Sequence, residues 1–143
     1  MKRITILILL TCFSVFGQTD QIDTIKFDGI YETTCRYEKD DAEGYQSFLR
    51  FYSNGKVISV TTDCDGPTSD LKDWFNMDME YLSVGSYETK GNKISFSTKS
   101  KNGTVNYSGR ITKKGFIKLK SKSSINGYKS QEHYQFIKIT GLK

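Results

Sequence analysis

Apolar and polar side chains take turns along residues 93–137. Ile94, Phe96 and Thr98 share one side of their segment. Val105, Tyr107, Gly109 and Ile111 share a side of the next, and Ile117 and Leu119 stand opposite Lys118, Lys120 and Lys122. Tyr128, Tyr134 and Phe136 continue the pattern. A period of two marks strands with one buried side. Gly91, Gly103, Gly115 and Gly127 punctuate these strands at twelve-residue intervals, three of them in the turn pairs Gly91-Asn92, Asn102-Gly103 and Asn126-Gly127. Gly and Asn tolerate the positive φ of tight hairpins. The pattern predicts consecutive antiparallel strands joined by short turns, a meander.

The N-terminal half follows a looser version of this rule. Residues 27–38 read as one long strand with Tyr31, Thr33, Cys35 and Tyr37 on one side. Residues 45–52 and 56–62 flank Asn54-Gly55 as a hairpin, and residues 82–89 lead into the metred region. Between the third and fourth strands lies an acidic loop containing Asp63, Asp65 and Asp70. Leu71, Trp74 and Phe75 follow at helical spacing, with Ser69 or Asp70 available as a cap. This predicts a short helix over residues 71–79 that plugs one end of the sheet or forms a lid over a cavity.

Eight antiparallel strands must bury one face and protect two edges, and closing the sheet does both. The expected fold is all-β: an eight-stranded antiparallel up-and-down barrel with one short helix between strands 3 and 4. Its expected inward face is Tyr31, Tyr37, Leu49, Phe51, Ile58, Val60, Tyr87, Ile94, Phe96, Tyr107, Ile111, Leu119, Tyr134 and Phe136. Buried tyrosine hydroxyls need partners, and a ligand, trapped water or Thr33, Thr62 and Thr98 could supply them. Phe48 and Tyr52 fall on the outer face, with Phe116 as a further member of an exposed patch, unless residues 18–26 cover them.

Length and composition narrow the class. At 143 residues the chain is one domain. Its 13% aromatic content argues against disorder. Lys2 and Arg3 precede an apolar run to Phe16, broken by Gly17-Gln18, which reads as a signal peptide over residues 1–17. An extension (residues 18–26) and the barrel domain (residues 27–143) follow. The apolar run is too short to span a membrane. The protein is therefore expected to be exported, periplasmic or extracellular. A lipoprotein anchor at Cys12 is the lesser alternative, since Thr11 replaces the small residue of that pattern. The mature chain would keep Cys35 and Cys64, which an oxidising compartment would join; two buried free thiols are the alternative.

Charge divides along the chain. Residues 20–88 hold fifteen acids and six bases, whereas residues 89–131 hold eleven bases and no acid. The basic stretch alternates, so it reads as the solvated side of strands that discourages edge pairing, and no nucleic-acid partner is expected. A basic patch facing acidic glycans or a membrane surface is the minority reading.

Catalytic and metal chemistry find little support. The single histidine, His133, disfavours histidine metal clusters and a serine triad. Asp63, Asp65 and Asp70 do not match an EF-hand loop, and nothing marks Asp40-Asp41 or Asp63/Asp65 as a buried catalytic pair. No enzyme activity, metal or cofactor is expected.

The chain resembles the lipocalin-like, or calycin, barrels over about residues 27–139. Those open with a Gly-x-Trp element on the first strand, and Gly29-Ile30-Tyr31 stands in that place, with Tyr31 replacing the tryptophan. The resemblance implies carriage of a small apolar or amphipathic molecule, with the ligand-binding wall expected from Tyr31, Tyr87, Phe96, Tyr107, Tyr134 and Trp74. The alternative is a protein-binding module, an inhibitor, immunity or assembly factor, using the barrel's outer surface. A cavity lined by apolar groups favours the carrier. A filled interior with exposed aromatics favours the protein partner. In either reading the chain is expected to be a monomer without a membrane span.

Overall fold

A computed structural model describes residues 24–40, 42–112 and 114–143. The signal peptide read over residues 1–17, and Cys12, lie outside the described residues. Eight strands run in order: β1 (Gly29–Glu32), β2 (Tyr45–Phe51), β3 (Lys56–Asp63), β4 (Ser83–Lys90), β5 (Lys93–Ser100), β6 (Gly103–Ile111), β7 (Phe116–Ser123) and β8 (Lys129–Lys138). Each pairs antiparallel with the next, and β8 returns to β1, closing the barrel. The all-β up-and-down barrel is thus the fold, and it is compatible with a calycin-like architecture. The punctuating glycines behave as the turn chemistry requires, with φ of 60° at Gly91, 144° at Gly103, 75° at Gly115 and 72° at Gly127.

Closure forces strands together at glycines. A Cβ at Gly109 would sit 1.8 Å from the Lys118 carbonyl oxygen, and one at Gly85 the same distance from that of Ser97. Only a missing side chain permits such an approach.

Aromatic rings fill the interior. Phe51 is its hub, meeting Tyr31, Tyr87 and Phe96 edge-on at 5.5, 5.1 and 5.5 Å between centroids. Phe96 stacks on Tyr107 at 4.6 Å. Leu49, Phe51, Val57 and Ile117 are wholly closed to solvent. Side chains bordering a water-sized void would expose surface into it, and these expose none.

A second apolar layer lies outside the barrel. Ile30, Phe48, Ile58, Leu71, Phe75 and Leu82 form it, with Tyr52, Val60, Trp74 and Val84 packed against them. The segment between β3 and β4 therefore neither plugs nor lids the barrel; it lies on the outer side of β2 and β3. Its helix is a single 3-10 segment, Thr68–Asp73, earlier and shorter than residues 71–79, with Pro67 at its N-cap and no side-chain cap from Ser69 or Asp70. Three tethers hold it. The Thr68 hydroxyl donates to Glu32. Arg50, itself buried, donates from Nη1 to the Phe75 carbonyl at 2.7 Å. The third is the Cys35–Cys64 disulfide, with Cα atoms 5.9 Å apart.

The structure corrects three assignments. Ile58 and Val60 face outward and Val57 and Ser59 inward, because the outer layer makes the outward side of β3 the more apolar one and alternation there points the wrong way. Phe48 is buried by Leu71 and Phe75, not exposed. The first strand is four residues, not twelve: past Glu32 the register against β2 slips by one residue before the Arg36–Tyr45 bridge, so Arg36 takes the inward side and Tyr37 is left in solvent at 64% exposure.

Candidate functional site

The two ends of the barrel differ. One carries the short turns β2–β3, β4–β5 and β6–β7. The other carries the long β1–β2 and β3–β4 connections with the β5–β6 turn and the β7–β8 loop. We call these the turn end and the loop end.

Five of the six side chains expected to form a ligand wall, Tyr31, Tyr87, Phe96, Tyr107 and Tyr134, do meet inside the barrel. Trp74 does not join them; it packs on the outer layer beside Phe75. The four tyrosine hydroxyls have protein partners. Tyr31 accepts the Lys26 N–H at 2.9 Å, and Tyr87 donates to the Tyr52 carbonyl at 3.0 Å. Tyr107 meets Ser59 and Thr98, whose own hydroxyls lie 2.9 Å apart. Tyr134 bonds Glu132 and Ser47. Burial, reinforced by Tyr107 and the Glu132 carboxylate, holds the Tyr134 phenol well above its usual pKa. Burial likewise raises that of Tyr107, with the Ser59 and Thr98 contacts opposing it.

Toward the loop end the interior turns polar. Leu119 on β7 faces Glu132 on β8, and Tyr107, Ser121 and Ser130 stand in one register row. Glu132 was not singled out as interior in the sequence because a lone carboxylate on a strand reads as solvated. It is 8% exposed and paired to Arg36 at 3.3 Å. Burial works against the Arg36 guanidinium, but Glu132 and Tyr45 outweigh it and raise its pKa above the ordinary value. Beside this pair, where β1 has left β8, a polar cleft of about 530 Å³ opens between Thr33, Thr34 and Arg36 on one side and Gln131, Glu132 and His133 on the other.

The rim is apolar by contrast. Of the large apolar side chains most exposed among the described residues, Tyr37, Tyr81, Ile125 and Tyr128 stand at the loop end, Met77 and Met79 lie on the β3–β4 connection, with Met77 against Tyr52 beside the β2–β3 turn, and Phe27 is at the turn end. Lys101 on the β5–β6 turn lies over the Tyr81 ring at 5.5 Å. The β1–β2 and β3–β4 connections carry Glu38, Asp40, Glu43, Asp65, Asp70, Asp73, Asp78 and Glu80. The aromatics expected to be exposed on the outer wall are buried (Phe48) or half-buried (Tyr52 and Phe116), and Tyr37, Tyr81 and Tyr128 are exposed at the loop end instead.

Among the described residues no group of three or more His, Cys, Asp or Glu could hold a metal ion, and no helix is long and apolar enough to cross a membrane. Comparison with protein families, curated proteins and solved structures finds no match for the chain.

Proposed function

We propose that the protein is an exported, non-catalytic binding module that engages a protein partner through its loop end. The gathering of exposed Tyr37, Tyr81, Ile125 and Tyr128 around one end carries this reading. Aromatic side chains concentrate at protein interfaces, and exposed apolar clusters mark them. The surrounding carboxylates favour a partner with a basic surface and would steer its approach. The filled interior and the internally satisfied tyrosines weigh against a deep carrier site. The disulfide fits an oxidising, extracytoplasmic setting.

Photo-crosslinking residues placed at 37, 81 or 128, with one at Ser95 as control, test the reading in the native host. A discrete protein adduct from the rim positions, lost when Tyr81 and Tyr128 are both changed to Ser, is the expected result. Adducts from Ser95 alone would overturn it.

One observation favours a small-molecule reading. A recess of about 300 Å³ at the turn end is lined by Ile25, Phe27, Tyr87, Thr89 and Ile111, at the lower bound for ligand pockets. Native mass spectrometry of purified protein would show a ligand there, and Tyr87→Ala would release it.

A further inference from the structure

The alternating basic strands place their charges in one row. Lys90 stands directly opposite Lys93, Lys93 opposite Arg110, and Arg110 opposite Lys118, with His133 next on β8. Neighbouring strands are about 4.8 Å apart, so the four side chains leave the backbone at that spacing across β4, β5, β6 and β7. Like charges directly opposite on paired strands are destabilising. Among the described residues, none of the four makes an ion pair. Edge protection does not explain the row, because a closed barrel has no edge at these strands.

The row borders a groove. Lys90, Lys93, Arg110, Lys118 and Lys120 line a hollow of about 630 Å³ on the outer wall, with Ser95, Ser108 and Gln131 in the row beside the four cations and Glu88 as its one carboxylate. A second hollow of about 390 Å³ on the same wall adds Ser86, Ser97 and Asn106. Hydroxyl and amide groups therefore flank the cation row on its loop-end side. No large exposed apolar side chain on this wall could enter a membrane. Phe96 and Tyr107 point into the barrel, so neither ring is presented for stacking the bases of a single-stranded nucleic acid.

We infer that this groove binds an acidic polysaccharide. Its carboxylate or sulfate groups neutralise the Lys90–Lys93–Arg110–Lys118 row, and its hydroxyls bond Ser95, Ser108 and Gln131. The inference uses a different face from the loop end and stands or falls separately from the protein-partner reading.

The test uses the full mature chain with polygalacturonate and dextran sulfate as probes, and neutral dextran, duplex DNA and anionic phospholipid vesicles as comparisons. Binding is measured across a salt series around 0.1 M, where charges about 10 Å apart are still felt. The triple variant Lys93→Gln, Arg110→Gln, Lys118→Gln should bind an acidic polysaccharide at least about tenfold more weakly, with a salt slope reduced by about one per cation removed. Removing repulsion should leave its melting temperature equal or higher, so a folding failure would be visible. A charge-matched control, Lys39→Gln, Lys72→Gln, Lys143→Gln, should bind as the parent does. The inference is overturned if neither acidic polysaccharide binds, if both triples weaken binding equally, or if DNA or vesicles bind as tightly as the polysaccharide.

Discussion

The Glu132 carboxylate lies inside the barrel, and its counter-ion Arg36 reaches it at 3.3 Å from outside the strand ladder. The pair bridges the gap that opens where β1 parts from β8. Arg36 is partly in water, at 40% side-chain exposure, which discounts the attraction. Removing it nevertheless strands a buried charge. Arg36→Met should therefore cost about 1–3 kcal/mol in urea unfolding at pH 7. Glu132→Gln should cost less, since an amide still accepts from Tyr134.

The Tyr134 phenol gives a pH signature. Its folded pKa is raised, so the folded state resists ionisation that the unfolded state undergoes near pH 10. Its contribution is complete below about pH 10 and is lost as pH rises from there toward the folded value. Stability measured by urea midpoint should hold to about pH 9 and then fall. Tyrosinate absorbance should show a fraction of phenols titrating only on unfolding, and that fraction should shrink in Tyr134→Phe.

Reduction should loosen the loop end first. Cys35 and Cys64 are 29 residues apart, a loop whose closure contributes about 3–4 kcal/mol by chain entropy. The double variant Cys35→Ser, Cys64→Ser should lose an amount of that order. Hydrogen exchange should quicken in residues 33–36 and 64–75 before the β4–β8 strands.

Two glycines separate crowding from conformation. Gly127 has φ of 72° with open space around its Cβ position, so Gly127→Ala should cost only the backbone strain, about 1 kcal/mol. Gly109 has no room at all, and Gly109→Ala should cost more, about 3 kcal/mol or outright loss of folding. Equal melting temperatures for the two variants would contradict the packing described.

Phe75 tests the outer layer. It is wholly buried, and Phe75→Ala should cost about 3–5 kcal/mol. It also uncovers Phe48 and Ile58, so binding of a hydrophobic dye should rise, while Trp74→Ala, half-buried beside it, should do less to either measure.

The sequence made the metred strands legible because β4–β8 bury one side only. Phe96, Tyr107 and Tyr134 could be placed inside from alternation alone. At Ile58 and Val60 the same argument chose the wrong side, because Leu71 and Phe75 cover the outer face of β3 and let it be more apolar than the inward Val57, Ser59 and Thr61. Tyr37 failed for another reason: alternation continues past Glu32, but the pairing with β2 slips by one residue before Arg36, and spacing along one strand cannot report a slip against its neighbour. The loop-end rim was illegible, since Tyr37, Tyr81 and Tyr128 are distant in sequence and only closure of the barrel brings their loops to one end. The cation row was visible as charge but not as a row, because register between strands is set by turn geometry.

Closure of the ring rests on β1, which contributes only four residues and is paired to the last strand. Synthesis delivers the N-terminus first, so Ile30 and Tyr31 must wait for Phe136 and Ile137, more than a hundred positions later. The hairpins from β4 to β8 join near neighbours and can form as they emerge, whereas the β1–β8 seam is the costliest in loop entropy. Until the chain is almost complete, the edges of the first and last strands stay unpaired and open to another molecule. The risk of misassembly therefore belongs to the nascent protein, and its remedy is speed in delivering the final strand.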